Sequence, residues 1–118
     1  MTTKQLRKKA WKLISIYVRS KNTNWRGYAN CFTCLKTDLW KNLQCGHYIH
    51  NKLDFDERNL KPQCQRCNHF LRGNLGAYAE RLIGLYGRKW MEKLRKDAQK
   101  KGNLYSRKEL IEIIERYA

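Results

Sequence analysis

Residues 31–34 read CFTC and residues 64–67 read CQRC, which gives the chain two Cys-x-x-Cys pairs. A two-residue gap lets both sulfurs of a tight turn reach one ion, and structural zinc takes four such ligands in a tetrahedron. We therefore expect a structural zinc ion bound by Cys31, Cys34, Cys64 and Cys67. Free thiols or a redox pair are the alternative, and two such pairs in one short chain favour the metal.

The stretch between the two pairs is long enough to hold a functional element. It contains 29 residues, 35–63, more than the roughly 15–20 of a simple four-cysteine zinc motif. The fifth cysteine, Cys45, lies within it just before Gly46. We interpret Cys45 as a small buried hydrophobic residue rather than a fifth ligand.

The charge of the chain predicts a polyanionic partner. Lys and Arg total 26 against 10 Asp and Glu, a formal net charge of +16 over 118 residues. Nucleic acid is the commonest polyanion in a cell, and its binding to such a domain should weaken steeply with salt. A ribosomal role, a membrane-surface role or general solubility would also account for this charge.

The hydropathy of the chain predicts a cytoplasmic protein with no membrane partner. No apolar run approaches membrane-spanning length, and residues 1–9, MTTKQLRKK, lack the apolar stretch of a signal peptide. Thiols stay reduced in the cytoplasm, which again favours metal binding over disulfides. At this length one domain is expected.

Hydrophobic spacing predicts a helix at the start of the chain and strands in its middle. Residues 3–20 share one apolar face and form an amphipathic helix, and residues 22–30 form a loop. Strands are expected at residues 43–49 and 60–63. Pro62 keeps the second strand short or at an edge, because proline cannot donate to the ladder.

From the second cysteine pair onward the pattern is helical. We expect a short helix from the second cysteine pair to about residue 72, a helix from residue 75 that Gly84 and Gly87 end, and a further helix with residues 90–98 that ends near Gly102. Ser106 and Glu109 form a capping box that begins the last helix. The expected organisation is one domain with three parts: a basic N-terminal helix in 1–25, a zinc-bound core in 31–72 and C-terminal helices in 75–118.

Three polar residues stand in a fixed register with the second cysteine pair. His47 lies on the first predicted strand, Asn59 lies five residues before Cys64, and Asn68 directly follows Cys67. This order resembles the HNH nucleases, also called ββα-metal or His-Me finger nucleases. The resemblance implies an α+β fold with a small zinc-stabilised ββα-metal core surrounded by several helices.

Each of the three residues has a chemical task in such a site. A neutral imidazole can take a proton from the water that attacks phosphorus, so His47 is the candidate general base. Asn59 can hold the loop that orients this base. Asn68 offers a carbonyl oxygen to a hard cation, Mg²⁺ or Mn²⁺, which would stabilise charge on the phosphate.

A longer series of motifs resembles one phage family. The motifs are CGHY at 45–48, LDFDERN at 53–59, QCQRCN at 63–68 and GNL at 73–75, followed by Tyr78. They are similar to the phage NinG/Rap recombination-nuclease family over residues 31–86. The resemblance implies a metal-dependent endonuclease that cleaves branched DNA, such as Holliday junctions and D-loops, in the host cytoplasm. Branch specificity comes from this resemblance alone.

The expected ligands of the catalytic metal are Asn68 and Glu57. Many HNH nucleases carry an acidic residue just before the base histidine, and here that position is Gly46. The nearby carboxylates are Asp54, Asp56 and Glu57, of which the motif favours Glu57. The alternative is that Glu57 and Arg58 form an ion pair that shapes the loop.

Four basic residues are expected to contact nucleic acid: Arg58, Lys61, Arg66 and Arg72. The four tryptophans are expected in the core or in a subunit interface, with stacking on unpaired bases as the alternative. His50 and His69 are expected at the surface, where they could also touch phosphate or metal. The last helix has an apolar side that would suit a homodimer.

The competing functional hypothesis is a zinc-containing DNA- or RNA-binding module without catalysis. It explains the charge and the cysteines as well as a nuclease does. Only the nuclease explains why His47, Asn59 and Asn68 stand in register with the cysteines.

Overall fold

The computed structural model describes all residues, 1–118, as an α+β protein, which confirms the expected class. It has four α-helices: α1 (Thr3–Ser20), α2 (Leu75–Tyr86), α3 (Arg88–Lys101) and α4 (Arg107–Tyr117). None of them is both long and apolar enough to cross a membrane.

Two of the helices begin at capping boxes. The Thr2 hydroxyl accepts from the backbone N–H of Gln5 and the Gln5 side chain accepts from that of Thr2, and Ser106 and Glu109 do the same at α4. The capping box predicted for the last helix is therefore confirmed. Each such cap contributes about 1 kcal/mol.

Of the two glycines expected to end α2, Gly87 does so and Gly84 does not. The helix continues through Gly84 to Tyr86. A single glycine inside a helix costs only about 1 kcal/mol. The helix ends at Gly87 because this residue has a φ of 95°, which L side chains rarely adopt.

The four strands form two separate antiparallel pairs. The first sheet pairs β1 (Tyr28–Asn30) with β2 (Thr37–Leu39), and the second pairs β3 (Gln44–His47) with β4 (Leu60–Gln63). Strand β4 has the predicted bounds, whereas β3 is shorter than the predicted 43–49. The loop predicted over residues 22–30 is wrong at its end, where β1 forms.

The β3–β4 hairpin lies at the centre and has two different faces. Alternation along β3 puts Cys45 and His47 on one face and Gln44 and Gly46 on the other. The Cys45 face packs in one buried cluster with α1 and α4, to which Ile14 and Leu110 belong. The hairpin therefore has two distinct sides, and the His47 side chain lies on the side that faces α1.

Two further buried clusters complete the core. One joins α2 and α3 to Leu53, through Tyr78, Leu82 and Leu94. The other surrounds the cysteines between the two sheets.

The apolar side of α4 is covered within the chain. Leu110 is fully buried, and Ile113, Ile114 and Tyr117 pack against the cluster that α1 shares. The surface on which a homodimer was expected is thus used for folding, and a homodimer stays a prediction.

Candidate metal centre and histidine site

The four paired cysteines meet at one point. Their sulfur atoms all lie within 4.8 Å of one another, and the sulfurs of Cys34 and Cys64 are 3.7 Å apart. Four thiolates at about 2.3 Å from a tetrahedral zinc ion would be separated by about 3.8 Å. The cysteines are therefore positioned to bind a metal ion, and an all-sulfur donor set suits zinc.

Local hydrogen bonds favour the charged state at Cys31, whereas burial raises the pKa of Cys34 to about 12 and also raises the pKa of Cys64. Burial raises the pKa of the Cys31 thiol, but hydrogen bonds with the Thr33 side chain and with backbone groups outweigh it and bring the pKa to about 6. The Cys67 backbone N–H donates to the Cys64 sulfur at 3.5 Å, and Asn74 Nδ2 donates to the Cys67 sulfur at 3.6 Å. Metal ligation requires thiolates, which such donors stabilise.

Cys45 lies outside this cluster. It is 7% exposed among the apolar residues that α1 covers, and burial raises the pKa of its thiol to about 12. The interpretation of Cys45 as a buried hydrophobic residue is confirmed.

His47 occupies a half-buried position at the end of β3. Its ring stacks on Trp11 of α1, with 4.8 Å between centroids and 11° between planes. Nε2 lies 3.3 Å from Asp54 Oδ1, and the side chain is 21% exposed. Burial lowers the pKa of His47 and the negative charge of Asp54 opposes this only in part, so the imidazole is neutral near pH 7.

Asp54 is held from two distant parts of the chain. Arg7 Nη2 lies 3.3 Å from Asp54 Oδ2, and the Asn103 side chain donates to the same oxygen. The Asp54 backbone N–H in turn donates to Asn103 Oδ1 at 3.1 Å. Asp54 therefore presents its other oxygen to His47 from a fixed position, a role that the sequence did not assign to it.

Asn59 closes the loop that follows β3. It is fully buried, its Oδ1 accepts from the Ile49 N–H at 2.8 Å, and its Nδ2 donates to the carbonyl oxygens of Ile49, Lys52 and Leu53. This is the loop-holding geometry expected of Asn59. Its contribution to catalysis stays a prediction.

Asn68 lies on the other side of the hairpin from His47. It sits in a short π-helix, Arg66–Phe70, and its Nδ2 donates to Gln44 Oε1 at 2.7 Å. Gln44 shares a strand face with Gly46, whereas the His47 side chain points to α1. The structure therefore does not bring His47 and Asn68 into contact.

Gly46 lacks a side chain because Gln63 fills the space. A Cβ at position 46 would lie 1.8 Å from Gln63 Oε1. Gln63 is fully buried and its Nε2 donates to Thr33 Oγ1 and to the Gly73 carbonyl. The amide of Gln63 thus occupies the space that a side chain at position 46 would need.

Glu57 and Arg58 have separate partners instead of pairing with each other. Glu57 lies 3.3 Å from Lys21 Nζ and accepts a hydrogen bond from the Tyr117 hydroxyl. Arg58 pairs with Asp56 and Asp97, whose hydrogen bonds and charges raise its pKa further. The alternative of a Glu57–Arg58 ion pair is wrong, although each residue does shape this part of the fold.

The protein side chains do not form a second complete metal site. The four cysteines are the one group of three or more His, Cys, Asp or Glu side chains close enough to share an ion. Asn68 and Glu57 make no hydrogen bond or ion pair with each other. The two expected ligands of Mg²⁺, an ion that usually takes one or two carboxylates together with substrate phosphate and water, have separate partners: Glu57 contacts Lys21 and Tyr117, and Asn68 contacts Gln44.

The four predicted nucleic-acid contacts have different surroundings. Arg66 and Arg72 are exposed and make no ion pair within the chain, so their charges are available. Lys61 Nζ donates to the Tyr86 hydroxyl at 2.8 Å, and Arg58 is engaged by two carboxylates. Contact of these residues with nucleic acid stays a prediction.

The tryptophans do not share one environment. Trp25 is 87% exposed with the Arg26 guanidinium 4.6 Å from its ring centroid, so the expected core position is wrong for it. Trp11 covers His47. No local pattern indicated that Trp11 would contact His47, because in the sequence Trp11 is simply one residue of an amphipathic helix.

The chain matches one family model over nearly its full length. The model described as "NinG: Bacteriophage Lambda NinG protein" covers residues 2–118. No curated protein and no solved structure matches the chain. Because the match spans the terminal helices as well as the cysteine core, the chain belongs to the bacteriophage lambda NinG family.

Proposed function

We propose that this protein is a structure-selective DNA endonuclease of the HNH type that cleaves branched DNA, such as Holliday junctions and D-loops, during phage recombination. Family membership supports the phage setting. The observation that carries the catalytic part is a neutral, half-buried His47 next to a fixed carboxylate, on a hairpin whose loop Asn59 closes. The net charge of +16 supports DNA as the substrate.

The chemistry follows from the orientation of His47. A neutral imidazole carries one proton. The charge of Asp54, 3.3 Å from the buried Nε2 but without the alignment of a hydrogen bond, favours the tautomer with that proton on Nε2. Nδ1 then has the free lone pair and takes a proton from water. The water oxygen bonds to phosphorus, the P–O3′ bond breaks, and the leaving O3′ takes a proton from solvent, so that a 5′-phosphate and a 3′ hydroxyl result.

The proposal involves two metal ions, and the side chains assemble a ligand set only for the structural zinc. Zinc in the cysteine cluster would hold the hairpin and the π-helix together, since Cys64 follows β4 and Cys67 lies in the helix. A catalytic Mg²⁺ or Mn²⁺ would neutralise charge on the phosphate, but Asn68, the ligand expected from the sequence, lies on the other side of the hairpin from His47 and contacts Gln44 instead.

A metal-dependence assay tests the activity itself. We expect the protein to nick a labelled four-way junction when Mg²⁺ or Mn²⁺ is added, to leave 5′-phosphate ends, and to stop when these ions are chelated. Electrophoresis of the products gives the readout, and the zinc content of the chelated protein is measured as a control. Tight junction binding without cleavage under any metal would instead support the non-catalytic zinc module.

Asp54→Asn tests the environment of the base. The substitution removes the charge that raises the pKa of His47, while burial and the neighbouring His50 continue to lower it. The pKa of His47 should therefore fall further, and the acid limb of the pH–rate profile should move to lower pH. The His47 ring also loses the carboxylate that helps to orient it, so we expect the rate of cleavage to fall by about tenfold or more.

The direct measurement for this variant is an NMR titration of the His47 ring. Asp38→Asn is the matched control, because it removes the same charge from a carboxylate that contacts Leu39 and Asn42 instead. An unchanged or raised pKa of His47 in Asp54→Asn would contradict the assigned contact.

A further inference from the structure

A cavity of about 520 Å³ opens beside the loop that follows β3. Its walls come from that loop, from the start of α2 and from α3, and no acidic side chain lines it. Pockets that bind small organic ligands have volumes of about 300–1,000 Å³. The cavity is therefore large enough to hold a nucleotide.

The floor of this cavity is apolar. Ile49, Leu75 and the ring of Tyr48 contribute to it, and Tyr48 is fixed by packing on Tyr78 with 5.2 Å between ring centroids. Leu75 is 41% exposed, so its side chain has open apolar surface. A flat apolar floor with an aromatic edge suits the face of a nucleobase.

The rim of the cavity is basic. His50, Lys52 and Arg95 line it, and all three are exposed. None of them forms an ion pair within the chain, and Arg95 instead donates to the Tyr48 hydroxyl at 3.1 Å. Three unpaired basic groups around an opening free of carboxylates create a local positive potential, which attracts phosphate.

The cavity has a fixed position relative to the histidine. Tyr48 directly follows His47, and its backbone N–H donates to the Asn59 carbonyl at 3.0 Å. The next residue, Ile49, is held by the Asn59 side chain through two hydrogen bonds. The cavity is therefore fixed at the end of the strand that carries the proposed base, on the side where Tyr48 packs against Tyr78 rather than on the side where His47 stacks on Trp11.

We propose that this cavity binds a single unpaired nucleotide of branched DNA, with its base on the apolar floor and its phosphate at His50, Lys52 and Arg95. A paired and stacked base cannot reach such a floor without leaving the helix, which costs a few kcal/mol, whereas an unpaired base can enter freely. The cavity would thus distinguish branched from duplex DNA. This assignment rests on the proposed function only in taking DNA as the substrate.

Binding measurements test the assignment without cleavage. Fluorescence anisotropy is measured with catalytic metal withheld, on a forked DNA with unpaired nucleotides at the branch and on a fully paired duplex of equal length. Lys52→Ala combined with Arg95→Ala should weaken forked-DNA binding about tenfold and change duplex binding less than about twofold. The slope of log affinity against log salt should also fall by about 0.7 for each lost single-strand phosphate contact.

Lys96→Ala combined with Lys100→Ala is the matched control. These two residues lie on the same helix, are exposed, and fall outside the cavity, so the change in net charge is identical. We expect this control to leave the ratio of forked to duplex affinity unchanged. A forked DNA with an abasic site at the unpaired position should bind the wild-type protein more weakly, because the floor then has no base to contact.

Equal losses on forked and duplex DNA, or no loss on either, would overturn the assignment. If the double variant loses zinc or melts early, Arg95→Gln at its exposed position gives the same comparison. A wild-type protein that prefers forked DNA through this cavity but never cleaves would refute the nuclease and leave the cavity assignment standing.

Discussion

His47→Ala is expected to reduce cleavage of branched DNA by about 10²- to 10⁴-fold, the range that a positioned general base supplies. Junction binding should change less than about twofold, since His47 is 21% exposed and makes no predicted phosphate contact. Cleavage rates on a labelled junction and anisotropy on the same DNA separate the two effects.

His69→Ala is the matched control for this variant. His69 is exposed, and its ring contacts only the neighbouring Phe70 ring. We expect that variant to cleave normally. Thermal unfolding of His47→Ala must also be compared, because the substitution uncovers the ring of Trp11. A stable His47→Ala protein that cleaves at the normal rate would refute the general-base assignment.

The parts of the fold that the sequence predicted are those set by local spacing. The two Cys-x-x-Cys pairs place their sulfurs through tight turns, and the helices follow from apolar periodicity and from caps such as Ser106 with Glu109. The first sheet was missed because its strands have three residues each and depend on the cysteine turn between them. Such short strands carry too little periodicity to be recognised.

The surroundings of His47 could not be predicted because they depend on tertiary contacts. Asp54 is fixed by Arg7, 47 residues away, and by Asn103, 49 residues away. Trp11 reaches the ring from α1. Asp54 was considered in the sequence only as one of three carboxylates near the expected metal, and nothing local indicated its contact with His47.

The reason for a glycine at position 46, next to the candidate base, is also a tertiary contact that the sequence did not reveal. Its glycine was read as a missing ligand, whereas the structure supplies a packing reason, since the buried Gln63 amide occupies the space. Gln63 Oε1 is itself buried without a hydrogen-bond partner. A substitution that restored an acidic residue at position 46 would have to displace this amide.

Cys64→Ser is expected to remove the bound metal and to unfold the central hairpin. Structural zinc contributes an apparent 10–16 kcal/mol in zinc-finger peptides, which is comparable to the whole stability of a domain of this size. Metal content by mass spectrometry should fall to near zero. Circular dichroism should show either no cooperative transition or a strongly lowered Tm, and chelation of zinc from the wild-type protein should reproduce the same loss.

Cys45→Ser is the matched control, because it makes the same sulfur-to-oxygen change in a buried cysteine outside the cluster. A buried hydroxyl without a partner costs about 1–3 kcal/mol, so this variant should be moderately destabilised but should keep its metal. Unchanged metal content and Tm in Cys64→Ser would rule out the structural site. Because Cys64 follows β4 and the π-helix with Asn68 begins two residues later, loss of the metal should also abolish junction cleavage.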